Sequence, residues 1–185
     1  MLHAHTLDAR QAALVIIDVQ ESFRAAVPDF DALAARIAVA AGGAQLLNVP
    51  VVVTEQYPKG LGRTAAEIGA VLPGGLEPVE KTAFSSCGAR EFVARLEAAG
   101  ARQVLVCGIE AHVCVNQTAH DLLARGFQVH LLIDCVSSRS DHNRRAGLDK
   151  MLRSGALPST VELALFELMR DARHEQFKAV QKLIK

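Results

Sequence analysis

The chain has 185 residues, half of them hydrophobic, with 20 acidic and 20 basic side chains. That length suits one domain over 1–185, since domains hold roughly 100–200 residues, and it leaves enough apolar content for a sizeable core. Balanced charge provides no net field for a polyanion, no apolar run nears the ~20 residues a bilayer demands, and Met1-Leu2-His3-Ala4-His5 lacks the basic-then-apolar order of a leader, so the expectation is a soluble cytoplasmic protein engaging neither nucleic acid nor membrane.

Residues 12–17 form the first continuous apolar, β-branched run, and similar runs follow at 51–53, 103–107 and 128–133. Runs of this length without polar alternation suit strands covered on both faces, as in a parallel sheet. Helical patterns lie between them at 31–47, 89–99, 114–125 and 141–153, and the last three stop at Gly100, Gly126 and Gly155, the residue that takes a left-handed cap without a Cβ penalty. Between the second apolar run and the second of these helices, 55–78 carries Pro58, Pro73 and Pro78 with several glycines and reads as loops around a short helix at 64–72. The tail, 171–185, alternates Phe177, Val180, Leu183 and Ile184 with charges, which predicts a surface helix docked on the domain or on a partner subunit. Strand alternating with helix predicts a doubly wound α/β fold with helices on both faces, and ligands in such sheets bind beyond the carboxyl ends of the strands.

Three residues at such ends invite chemistry. Asp18 closes the first run in Ile16-Ile17-Asp18-Val19-Gln20; a carboxylate there reads equally as a partly desolvated base and as a cap on the loop. Cys114 follows Gly108-Ile109-Glu110-Ala111-His112-Val113, where a strand turns into a helix whose dipole favours a thiolate and whose unpaired amides favour an oxyanion. Lys81 sits in the extended stretch Val79-Glu80-Lys81-Thr82-Ala83-Phe84-Ser85; alone it reads as a solvated lysine, and beside a thiol and a carboxylate it would bias both toward their charged forms. Cys87, Cys107 and Cys135 have no such setting, and the four cysteines show neither a C-x-x-C pair nor zinc spacing, so no structural metal and no disulfide framework are expected. Gly60-Leu61-Gly62 lacks the third glycine and helix of a dinucleotide loop, so no cofactor is expected.

With the segments around Asp18, Lys81 and Cys114 in this order, the chain resembles the isochorismatase-like cysteine hydrolases from about residue 12 to its end. Thr54-Glu55-Gln56-Tyr57-Pro58-Lys59-Gly60-Leu61-Gly62, Asp134-Cys135-Val136-Ser137-Ser138-Arg139-Ser140 and Gln176-Phe177-Lys178 are most similar to the branch called isochorismatase domain-containing proteins. The resemblance implies a three-layer fold with a six-stranded parallel sheet, a homo-oligomer, and a triad in which Asp18 is the base, Lys81 bridges it to the thiolate and Cys114 attacks a small amide, ureide or carbamoyl carbonyl. It also implies a cis peptide joining Ile109 to Glu110 and an oxyanion held by the amides of Glu110 and Cys114. Gln20, Phe23, Tyr57, Phe84 and His112 follow these elements and are expected to line the pocket. Two departures narrow the chemistry. Nicotinamidases of the superfamily hold a metal with an acid and histidines after the second strand, where this chain has Thr54-Glu55-Gln56-Tyr57, so no catalytic metal is expected. Enzymes that cleave isochorismate itself lack the cysteine. The competing readings are a non-enzymatic oligomeric or interaction protein on the same fold, and an RNA binder or nuclease, which balanced charge and a single tyrosine disfavour.

Overall fold

The computed structural model describes residues 3–185. Its chain order is β1 (Ala12–Ile17), α1 (Phe30–Leu46), β2 (Val51–Gln56), α2 (Pro58–Leu61), α3 (Ala66–Gly69), β3 (Val79–Lys81), α4 (Arg90–Ala98), β4 (Gln103–Gly108), α5 (Asn116–Ala124), β5 (Gln128–Val136), α6 (Asp141–Arg153), β6 (Leu157–Ser159), α7 (Val161–Met169) and α8 (Phe177–Ile184). The six strands form one parallel sheet in the order β3-β2-β1-β4-β5-β6.

Alternate residues of the apolar strands serve two separate cores, which is why the runs show no polar alternation. Leu14, Ile16, Val53, Leu105, Cys107 and Leu132 point to one face, where Phe30, Leu33 and Ile37 of α1, Leu165 and Leu168 of α7 and Val180 of α8 cover them. Ala13, Val15, Ile17, Val52, Val104, Val106 and Leu131 point to the other, under Phe92 and Leu96 of α4, Leu122 of α5 and Met151 of α6. Burial of such side chains stabilises the fold by roughly 1.5–3 kcal/mol each.

The predicted strands are extended by the structure at their carboxyl ends, to Gln56, Gly108 and Val136, because pairing with a neighbour continues where polar residues begin. β6 and α7 carry no expectation from the sequence; the strand is three residues long, and its helix is capped by the Thr160 side chain, which accepts from Leu163 N. The helix expected at 64–72 shortens to four residues, and the one expected to begin at Cys114 begins instead with a π-helical turn, Ala111–Val115, ahead of α5.

The order reverses between β1 and β4, since β2 and β3 extend the sheet to one side and β5 and β6 to the other. Such a switch point leaves a crevice at the strand carboxyl ends, because the loops leaving the two central strands run to opposite faces. Ile17 pairs with both Thr54 and Gly108, so the chain segments that follow β1, β2 and β4 emerge side by side. Gly108, at φ 122, approaches β1 so closely that a Cβ would lie 2.1 Å from Ile17 O. Among the described residues no helix is long and apolar enough to cross a membrane.

Candidate active site

Asp18 is the first residue past β1 and takes the left-handed conformation, φ 53, which aspartate tolerates better than a β-branched residue would. Its carboxylate is 1% exposed and held from two sides: Thr54 Oγ1 donates to Oδ1 at 2.6 Å, and Lys81 Nζ donates to Oδ2 at 2.5 Å. Lys81 closes β3 with its side chain buried, and its ammonium also donates to Gln56 Oε1 at 2.8 Å, Phe84 O at 3.1 Å and Ala83 O at 3.3 Å. Partners of this kind offset the desolvation cost of burying an ammonium group.

Cys114 lies in the π turn at the amino end of α5. The turn is fixed by Ala111 N donating to Ser137 O and by Val113 N and Val115 N donating to Glu110 O. The Ile109–Glu110 peptide bond is cis. From outside, α6 presses on the same turn: a Cβ on Gly147 would lie 2.6 Å from Ala111 O.

Position at a helix start predicts a stabilised thiolate, and the structure differs. Burial pushes the Cys114 thiol up to about 12, the Asp18 carboxylate adds to the rise, and the Lys81 ammonium opposes it only in part. Desolvation and a neighbouring anion both disfavour the charged form of the sulfur. Burial likewise raises Cys87, to about 11, and raises Cys107 and Cys135 further.

Asp18 and Cys114 border one pocket of about 120 Å³, with Phe23, Gln56, Leu61, Phe84, Ile109, Glu110 and Val113 completing its wall. It is smaller than the roughly 300–1,000 Å³ of sites for drug-sized ligands. A larger concavity of about 430 Å³, lined by Glu97, Gly100, Ala101, Arg102, Arg125, Gly126 and Phe127, has no nucleophile and lies at the opposite, amino-terminal ends of β4 and β5. Of the remaining residues expected to line the pocket, Phe23 does so, and so does Phe84, 55% exposed at its mouth.

Gln20, Tyr57 and His112 do not line it. Gln20 is fully buried and clamps two loops, donating to Gln56 O and Gly62 O and accepting from Gln56 N. Tyr57 points outward with its ring over Gly60, and His112 Nδ1 pairs with Ser138 Oγ at 3.2 Å. Thr54 and Gln56, which the sequence reading does not single out as site residues, are brought to the site by the register of β2 beside β1. Their signal was position alone, at the carboxyl end of the strand next to the switch point. Glu55, between them, turns away into an ion pair with Arg63 and accepts from Thr64 N and Oγ1. Among the described residues no three His, Cys, Asp or Glu side chains converge as metal ligands would.

The model of the isochorismatase domain family matches residues 12–162. Isochorismatase domain-containing protein 2 of Bos taurus is 46% identical over 176 residues, covering 93% of this chain and 82% of that one. A solved structure named MAR1 ribonuclease, from Caenorhabditis elegans, is 36% identical with a TM-score of 0.89, covering 97% of this chain and 92% of the other. The YcaC gene product of Escherichia coli, described as an octameric hydrolase of unknown specificity, is 23% identical with a TM-score of 0.89 over 100% of this chain and 91% of its own, a likeness of fold alone.

Proposed function

Since the chain belongs to the isochorismatase family, whose fold is a hydrolase fold, we propose that it is a metal-independent cysteine hydrolase of small C–N bonds, in amides, ureides or carbamoyl groups. The observation that carries this reading is the Asp18 carboxylate, pinned by Thr54 and Lys81 at the wall of a pocket it shares with a protonated Cys114. A base and a thiol so placed suit proton transfer at the moment of attack.

In this reading Asp18 takes the thiol proton as Cys114 Sγ bonds to the substrate carbonyl carbon, and the amides of Glu110 and Cys114 hold the resulting oxyanion. Collapse breaks the C–N bond, and the proton on Asp18 leaves with the departing amine. Water then gives a proton to Asp18 and adds to the thioester carbon. Breaking the C–S bond releases the acid and returns the proton to sulfur. Lys81 holds the Asp18 carboxylate in place between these steps, at a distance of 2.5 Å. Phe23, Leu61, Phe84 and Val113 exclude water and admit only a small substrate. The lone acid after Thr54 is occupied by Arg63, which suits a site working without a metal.

The test is ammonia or amine release from a panel of small amides and ureides by wild type, Asp18→Asn and Cys114→Ala, with Cys114 capture followed by intact-protein mass. Turnover abolished by both variants supports the reading; turnover that survives Cys114→Ala overturns it. We further read the protein as a homo-oligomer acting on a small molecule. A second reading, RNA cleavage, is raised by the likeness to a protein named a ribonuclease. Among the described residues no lysine or arginine borders the pocket to meet a phosphate, and Cys114-dependent cleavage of a single-stranded RNA would be needed to revive it.

A further inference from the structure

The polar groups of the pocket wall are unequally employed. Asp18 Oδ1 and Oδ2 are taken by Thr54 and Lys81. Gln56 accepts from Lys81 through Oε1 and donates to Thr82 O through Nε2, so both ends of its amide are used. Glu110 differs. Its Oε1 receives both Arg139 N and Arg139 Nε, each at 3.0 Å, while Oε2 receives no hydrogen bond from the described residues. The side chain is only 7% exposed, and it borders the pocket. Among the described residues the one fully buried side-chain polar atom lacking a partner is Asn116 Oδ1, so Glu110 Oε2 is not completely enclosed.

Among the described residues no lysine or arginine borders the same wall. Lys81 lies behind Asp18, its ammonium divided among four acceptors. The arginines nearby are engaged elsewhere: Arg24 with Glu21, Asp31 and Glu67, Arg63 with Glu55 and Glu80, and Arg139 with Glu110.

We propose that Glu110 selects the substrate: its Oε2 accepts an N–H of the group to be cleaved, and its charge restricts the pocket to small uncharged amides and ureides, turning away carboxylates. This rests on Cys114 being the nucleophile as read above. The carboxylate stays ionised because the hydrogen bonds and charge of Arg139 outweigh the opposing effect of burial. Beside two carboxylates as deeply set as Glu110 and Asp18, a further anion meets repulsion that an exposed surface site would not impose. Hydrolysis turns a neutral substrate into an acid, so the same charge that admits the substrate expels the product.

The experiment compares alkylation of Cys114 by iodoacetamide and by iodoacetate, reagents of one size and different charge. Rates at pH 9 are followed by intact mass and peptide mapping and normalised to those of glutathione. Wild type is expected to favour the neutral reagent by about tenfold beyond glutathione, a like-charge effect at short range. Glu110→Gln, which keeps the shape, is expected to bring that preference most of the way back. Arg139→Gln, which strips the counter-charge and leaves Glu110, is expected to enlarge it. A wild-type preference equal to that of glutathione overturns the selection role while leaving Cys114 as nucleophile; a folded wild type in which neither reagent reaches Cys114 overturns both.

Discussion

Cys114 holds its proton at neutral pH because burial, then the Asp18 charge, push the thiol up to about 12, with Lys81 offsetting part of the rise. Its alkylation in the free protein is therefore expected to climb with pH above the ordinary thiol range. Asp18→Asn removes an anion and should shift that profile to lower pH while reducing turnover by about 10²–10⁴, the usual worth of a positioned base. Lys81→Met should shift it higher. Stopped-flow labelling against pH checks both directions, and an Asp18→Asn profile identical to wild type would mean that the carboxylate does not face the thiol in solution. Thr54 acts through Asp18: Thr54→Val removes a 2.6 Å hydrogen bond to a buried carboxylate, with an expected loss of about 1.5–3 kcal/mol in stability and a lower kcat that Thr54→Ser restores. Asp18, Lys81 and Cys114 were each visible as residue types in telling places, whereas their convergence was visible only through resemblance. Contacts between residues 63 positions apart, as in the Lys81–Asp18 pair, leave no trace in local spacing.

Among the described residues α6 contributes no side chain to the pocket wall, yet it braces the turn that carries Cys114. Gly147→Ala would place a methyl group 2.6 Å from Ala111 O, so an overpacking cost of about 1–3 kcal/mol and slower Cys114 labelling are expected. Gly69→Ala in α3, where nothing lies within 4 Å, should be neutral or stabilising, and thermal melts of the two variants separate crowding from helix propensity. β5 holds a second marker. Burial lowers the His130 pKa from 6.5 to about 4, so the folded chain binds fewer protons there than the unfolded chain as pH falls. The stability this histidine contributes is intact above pH 6.5 and is lost progressively toward pH 4, at an expected scale of about 3 kcal/mol. His130→Leu should flatten the melting temperature over that window, and Gln128 Oε1, its partner, still accepts from Gln103 Nε2.

As a whole molecule the protein exposes Phe84 at the pocket mouth and Leu163, Phe166 and Leu183 on α7 and α8, surface of the kind that partner copies cover. A homo-oligomer at micromolar concentration is the expected outcome of native mass spectrometry, and a monomer throughout that range would overturn it. What the sequence determined by itself is the layered α/β architecture. Unbroken β-branched runs cannot sit half-exposed, and glycine-stopped helices between them supply the two covering layers, so doubly wound order follows from burial alone. The short β6 and the π turn escaped it, since three residues carry no period and a turn at Ala111–Val115 is set by α6 and by Ser137 O rather than by its own side chains. Only the tertiary structure decided which strand ends meet, that Thr54 and Gln56 belong to the site while Gln20 serves the loops, and that the thiol rises instead of falling. Strand order and register bring distant residues together, and the net electrostatic environment of a sulfur depends on everything packed around it, not on the helix it begins.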